Sequence, residues 1–246
     1  MNHHTSIHLA LLGISVFVGA LLAGCADPPP EPVRARVMEP SRFQSPVVRG
    51  GLLPVPAEIP LTEQRALAVF QSVGNRRWTT ANSEFQTLSD AARGLPTAPA
   101  PSGANSAQVH QALQNLSDAI TVHDAISAMN YANNITRLTA EMADPYRKVI
   151  PTEAKIMAFY ERRLEVSLAS ANVGQLKDTA TSMGALWPRL RPLVTARDGE
   201  KLANTFGETI SKLLAAQQVS EFDPLVEPTK LQVWDIQELF RTTEMP

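Results

Sequence analysis

The chain has 246 residues and a formal net charge of −2, with 22 basic and 24 acidic side chains. This length allows one or two domains, and the near-neutral charge excludes the basic surface expected of a nucleic-acid-binding protein. The single cysteine, Cys25, excludes an internal disulfide, an iron–sulfur cluster, a c-type haem and a thiolate zinc site, because each needs more than one cysteine. We therefore expect no cofactor and no nucleic-acid partner.

An apolar segment opens the chain. Residues 7–24 are apolar or small except for His8 and Ser15. A permanent membrane span needs roughly 20 predominantly apolar residues, so this segment is marginal as one. An apolar stretch followed by small residues is typical of a secretory signal, although no Lys or Arg precedes this one. We predict a signal peptide over residues 1–24.

The end of this segment, Leu22-Ala23-Gly24-Cys25, resembles the lipobox of bacterial lipoproteins. The resemblance implies cleavage before Cys25, a thioether-linked diacylglycerol on its sulfur, and acylation of the new amine, for example with palmitate. Several acyl chains suit a stable anchor, because one chain gives only marginal membrane binding. Since Ala26 rather than aspartate follows, the resemblance favours the outer membrane, facing the periplasm. The alternative is an uncleaved anchor in which Cys25 is an ordinary small residue.

A proline-rich stretch follows the cysteine. Residues 26–61 hold nine of the 19 prolines, and proline fixes φ and lacks a backbone donor. We therefore predict residues 25–61 to be a lipidated linker, a semi-rigid spacer that holds the folded part away from the membrane. Its arginines are candidates for contact with anionic head groups or, alternatively, solvated side chains; they are Arg34, Arg36, Arg42 and Arg49.

From Thr62 onward, apolar residues recur at spacings of three and four, which is typical of amphipathic helices. No sustained two-residue alternation and no Asn-Gly turn indicates a strand. We predict an all-α domain over residues 62–246, an antiparallel bundle of about six helices with short connections. An array of stacked helix pairs is the alternative.

Capping and breaking residues predict where these helices begin and end. Thr62 is a candidate N-cap, Gly74 a candidate break, and a change of register near Thr121 predicts a turn or kink. Asp144-Pro145 ends the helix that precedes it. Further N-caps are predicted at Asn172 and Asp198. The helix that follows Asn172 is predicted to kink or end at Pro188 and Pro192, and a short amphipathic segment over residues 229–240 closes the chain.

Histidines raise an alternative function, a metal- or haem-binding helical module for uptake or redox handling. The weak candidate ligands are His110 and His123. On one continuous helix their spacing would place them on nearly opposite faces, so they converge only if the chain turns near Thr121. No Glu-x-x-His pair of the di-iron bundles occurs.

Enzymatic motifs are missing: the sequence has neither a Gly-x-Ser-x-Gly elbow nor a glycine-rich phosphate loop. We therefore expect no enzymatic activity. The run from Glu161 to Glu165 (Glu-Arg-Arg-Leu-Glu) has two interpretations, charges placed in a cleft or a solvated helix face. Asn130, Asn133 and Asn134 likewise form a buried polar network or lie exposed.

Trp187, Arg189 and Arg191 form a candidate partner surface, because Trp and Arg are enriched among interface anchors. The alternative places Trp187 in the core and the arginines in solvent. The sequence as a whole predicts a bacterial lipoprotein, anchored through its lipid in the cell envelope. Its helical domain would bind or scaffold, with an envelope protein as the expected partner.

Overall fold

The computed structural model describes residues 53–242, which form eight helices. They are α1 (Glu58–Gly74), α2 (Trp78–Ala92), α3 (Ser106–Thr121), α4 (Ala125–Met142), α5 (Thr152–Ala169), α6 (Val173–Thr195), α7 (Glu200–Ala215) and α8 (Val219–Thr242). Within this range the only extended pairing is an isolated bridge between Pro54 and Arg147. The prediction of an all-α fold is confirmed, with eight helices rather than about six. The predicted signal peptide, Cys25 and most of the linker lie outside the described residues.

The helices pack as two consecutive groups of four, each around its own core. In the first group, α1 packs against α2 and α4, and α3 closes the group by contacting both of these. In the second, α5 packs against α6 and α8, and α7 lies against both. The cores are apolar; their members include Phe70, Leu88, Leu116 and Ile135 in the first and Met157, Leu176, Phe206 and Phe222 in the second.

Helices α4 and α5 join the two bundles, and they are the one pair among the described helices that packs across the boundary. Val166 of α5 is fully buried and belongs to the core of the first bundle, although its helix belongs to the second. This seam positions α5 so that one of its faces lies open between α1 and α8. None of the helices in residues 53–242 is long and apolar enough to span a bilayer.

Three short turns of one design make neighbouring helices antiparallel. Each contains a residue with positive φ, namely Arg76 at 57°, His123 at 56° and Ala171 at 50°. In each, the next backbone N–H donates five residues back, as from Asn172 to the Ser167 carbonyl at 2.9 Å, which closes the helix end. The break predicted at Gly74 and the turn predicted near Thr121 are both confirmed.

Some predicted helix starts are correct and others are wrong. The Asn172 side chain accepts from the Gln175 N–H and caps α6, as predicted. Thr62, however, is buried within α1, which begins four residues earlier at Glu58. Asp198 has a φ of 61° and Gly199 takes the N-cap position of α7, so this predicted cap is also wrong.

Prolines interrupt neither α6 nor α8. Helix α6 continues through Pro188 and Pro192, so of the two predicted alternatives, a kink or an end, the end is wrong. Helix α8 likewise runs through Pro224 and Pro228. All four are exposed, and each pair is four residues apart, on one helix face. On an exposed face the carbonyl groups that proline leaves without a donor can bind water. Helix α8 is therefore twice as long as the segment predicted over residues 229–240.

Candidate ligand-binding groove

A groove runs between the two bundles, with α5 as its floor and α1 and α8 as its walls. Its main cavity encloses about 370 Å³. The apolar part of its lining comes from all three helices; its members are Leu67, Phe70, Ala158, Val233 and Trp234. A second cavity of about 280 Å³ shares Leu67, Ala158, Arg162 and Gln237 with it and continues toward Pro60. The size and the apolar lining are those of a small-ligand site.

Glu161 lies in this groove with its carboxyl group buried. The residue is 5% exposed, and its Oε1 atom is buried without a hydrogen-bond partner. The pKa of Glu161 is raised to about 7, mainly by burial; Arg162 and Lys230 oppose this rise, while Glu165 and Glu227 add to it. Both the protonated and the ionised carboxyl group are therefore accessible near neutral pH. A buried acceptor with no partner is costly for the folded chain unless something donates to it.

Arg162, the next residue, is held in a network at the seam between the bundles. Its Nε donates to Asn133 Oδ1 at 2.8 Å, and its Nη2 donates to Thr136 Oγ1 at 2.9 Å. Asn133 Nδ2 in turn donates to the Phe159 carbonyl at 2.9 Å. Burial lowers the pKa of the Arg162 guanidinium. The polar-network interpretation is thus correct for Asn133, and Arg162 is fixed by contacts outside the cavity.

Charged and aromatic side chains form the rest of the lining. Glu165 lies one turn beyond Glu161 on α5, so the two carboxyl groups share a helix face. Lys230 of α8 also lines the cavity, and its Nζ is 4.0 Å from Glu227 Oε2. Trp234 is 58% exposed, an unusual position for so large an apolar side chain. Together these residues form a rim that carries both signs of charge and one aromatic ring.

An ion pair fixes the far end of the groove. Lys155 Nζ of α5 is 2.5 Å from Glu63 Oε2 of α1, and both side chains are mostly shielded from solvent. Among the described residues that line the main cavity, none carries a hydroxyl, thiol or imidazole group. The described lining therefore offers no serine, threonine or cysteine nucleophile, and its ionisable groups are those of Glu161, Arg162, Glu165 and Lys230.

The structure does not bring the two candidate metal ligands together. His110 lies exposed near the start of α3, and His123 lies in the turn after that helix. The part of α3 between them spans about 16 Å at 1.5 Å per residue. The His123 ring stacks on Trp78 with centroids 4.6 Å apart. Within residues 53–242, no cluster of three or more His, Cys, Asp or Glu residues could hold a metal ion.

The candidate partner surface needs correction, because its three side chains do not share a surface. Trp187 is only 7% exposed and packs edge-on against Phe206, with ring centroids 4.9 Å apart. It follows the apolar face of α6 into the second core. Arg189 instead pairs with Glu153 at 2.8 Å, and Arg191 donates to Asn204 Oδ1 at 3.0 Å.

Sequence reasoning singled out part of the groove and missed the rest. The Glu161 to Glu165 run was one signal, and the structure favours its cleft interpretation for Glu161 and Glu165. Lys230 and Trp234 carried no signal as site residues, because only folding brings α8 beside α5. Comparison with known proteins adds no further site residue: no protein-family model, no curated protein and no solved structure matches this chain.

Proposed function

We propose that the chain is a lipid-anchored protein of the bacterial cell envelope whose helical domain binds a ligand in the groove of α1, α5 and α8. One observation carries the binding part: Glu161 Oε1 is buried in the groove lining without a hydrogen-bond partner. A buried acceptor without a partner lowers the stability of the folded chain, and a ligand that donates a hydrogen bond to it would offset this cost. The size of the cavity, about 370 Å³, supports the same proposal.

Binding is favoured over catalysis by the side chains that line the cavity. A carboxyl group whose pKa is near 7 can exchange a proton, but the described lining offers no serine, threonine or cysteine nucleophile beside it. The two histidines at separate ends of α3 give no support to the metal- or haem-binding alternative. We therefore propose that the domain holds an envelope component, and that it is not an enzyme.

The location rests on the lipobox resemblance alone. We propose that Cys25 carries the lipid and that the domain faces the periplasm from the outer membrane. The spacer is shorter than the predicted linker of residues 25–61, because α1 already begins at Glu58. The spacer would join the folded part just before α1, which forms one wall of the groove. Anchor and binding site would then be separated by a short length of chain.

The anchor is tested by substituting its cysteine. In cells given an alkyne-bearing palmitate analogue, the wild-type chain should be labelled and should sediment with membranes. Cys25→Ser should lose both properties, because serine offers no sulfur for the thioether. Ala26→Ser, a small change at the next position, should keep both. Persistent labelling of Cys25→Ser would contradict the lipoprotein proposal.

The binding site is tested by filling the groove mouth. Gln71 lies exposed on the α1 wall, so Gln71→Trp should obstruct the cavity without disturbing either core. Mass spectrometry of compounds released from the natively purified, full-length chain should find a bound compound in the wild type. That compound should be depleted in Gln71→Trp and retained in Gln114→Trp, which alters exposed residue 114 of α3. Equal release from both variants, or none from the wild type, would contradict groove binding.

A further inference from the structure

We infer that the groove takes a small organic cation, an ammonium group on an apolar body, with the charge between Glu161 and Glu165 and the body against Leu67, Phe70 and Val233. This inference rests on the proposed function and names the class of its ligand. The volume of about 370 Å³ suits a small molecule rather than a folded partner.

Glu161 calls for a hydrogen-bond donor in the ligand, because neither nearby cation donates to its Oε1 atom. Arg162 directs its Nε and Nη2 to Asn133 and Thr136. Lys230 Nζ lies 4.0 Å from Glu227 Oε2, the carboxylate with which it pairs. Glu161 Oε1 has no hydrogen-bond partner at all. The missing element is therefore a donor, and an ammonium group brings three of them together with the opposite charge.

Glu165 supplies the second step. It lines the same cavity one helical turn from Glu161, and its negative charge is one of the causes that raise the pKa of Glu161. Two carboxylates so placed repel each other, and a cation between them turns this repulsion into attraction. An anionic ligand would instead face both carboxyl groups. The lining also holds two cations, but Arg162 donates to Asn133 and Thr136, and Lys230 lies near Glu227. The unpartnered group is the Glu161 carboxyl, and this favours a cationic ligand.

Trp234 supplies the third step. Its ring lines the cavity and yet is 58% exposed, so it lies at the mouth rather than in the core. Aromatic rings attract cations through their faces and also cover apolar ligand surface. The pair of carboxyl groups and the tryptophan thus recognise the two ends of one amphiphilic amine. Trp234 also serves as a fluorescent reporter of binding.

The test uses matched ligands on the lipidated, full-length chain in non-ionic detergent. The probe is 4-phenylbutylamine, and the neutral control is 4-phenylbutan-1-ol; equilibrium dialysis gives the free concentrations. Trp234 fluorescence should report binding of the amine at least tenfold tighter than that of the alcohol, and Trp234→Phe should lose this signal. Glu161→Gln should reduce the preference for the amine to less than threefold. Glu208→Gln, which alters an exposed residue of α7, should leave it unchanged.

The dependence on pH gives an independent readout. The charged groups that face Glu161 are Arg162 and Glu165 on α5 and Glu227 and Lys230 on α8, while α1 contributes no titratable side chain to the main cavity. The amine stays protonated throughout, so its affinity should rise between pH 6 and 8 as Glu161 loses its proton. The affinity of the alcohol should stay level. Calorimetry at pH 7 in buffers of different ionisation enthalpy should detect net release of protons when the amine binds.

Two results would overturn the inference, and they differ in what they imply for the groove. Equal affinity for amine and alcohol, unchanged in Glu161→Gln, would contradict a cationic ligand but not ligand binding in the groove. Failure of both ligands to bind would also contradict a cationic ligand of this class. The compounds released from wild type and Gln71→Trp would then decide, separately, whether the groove binds anything.

Discussion

Replacing Arg162 by alanine should lower the free energy of unfolding by about 3 kcal/mol, because it removes two hydrogen bonds that a charged donor makes to buried groups. Those groups are Asn133 Oδ1 and Thr136 Oγ1, which accept from Arg162 Nε and Nη2. They lie at the seam between α4 and α5, where water has little access to replace the lost donors. Urea unfolding of the full-length chain, followed by circular dichroism, measures the effect.

The neighbouring arginine provides the matched control for this prediction. Arg163→Ala removes the same side chain from the next position of α5, outside the Asn133 network. It should cost well under 1 kcal/mol, as substitutions away from buried networks usually do. An equal loss in the two variants would show that the arginines act through general charge or helix propensity. The seam would then owe its stability to apolar packing, as at Val166.

Replacing Glu161 by glutamine should stabilise the chain at pH 8 and change its stability little at pH 4. The pKa of Glu161 rises from 4.5 to about 7 on folding, mainly because of burial. The folded wild type then binds the proton more tightly than the unfolded chain, so its stability falls as pH rises from about 4.5 to 7. At about 1.4 kcal/mol per pKa unit, the full loss is about 3 kcal/mol above pH 7. Glutamine carries no charge that burial would desolvate, so the variant avoids this loss of stability.

Urea unfolding at pH 4.5 to 8 checks this second prediction. The stability of Glu161→Gln should lose most of the downward slope seen in the wild type over this range. Glu208→Gln makes the same chemical change at an exposed position and should keep the wild-type slope. The opposite finding, one slope shared by all three proteins, would mean that the Glu161 carboxyl group is solvated in solution. The case for a ligand donor in the groove would weaken with it.

Much of the fold was predictable because its signals are local. The apolar spacing of three and four predicts helices, and the Asn172 cap and the turn after Thr121 mark real helix ends. The wrong predictions of helix ends arose where the environment of a residue, rather than its type, decides whether the helix continues. Pro188 and Pro192 of α6 were candidates for a helix end, yet they lie on an exposed face where a lost hydrogen bond matters little. The division into two bundles depends on long-range packing and leaves no local signal.

The candidate site was less predictable for the same reason. The charges from Glu161 to Glu165 leave two interpretations open, since the run alone does not tell whether another helix covers it. Here α8, some 70 residues farther along the chain, brings Lys230 and Trp234 beside these carboxyl groups. Trp187 shows the converse. Its proline-flanked, arginine-rich surroundings suggest a surface, but its position on the apolar stripe of α6 decides its burial.

The two walls of the groove belong to different bundles, so the affinity for a ligand in the groove would depend on the angle between the bundles. Helix α1 belongs to the first bundle and α8 to the second, and α4 and α5 are the described helices that pack across the boundary. A small rotation about that seam would change the width of the groove, and it would also shift Val166 of α5 within the first core. A ligand that touches both walls therefore favours one angle between the bundles. By thermodynamic reciprocity, anything that fixes the angle alters the affinity of the ligand by the same factor.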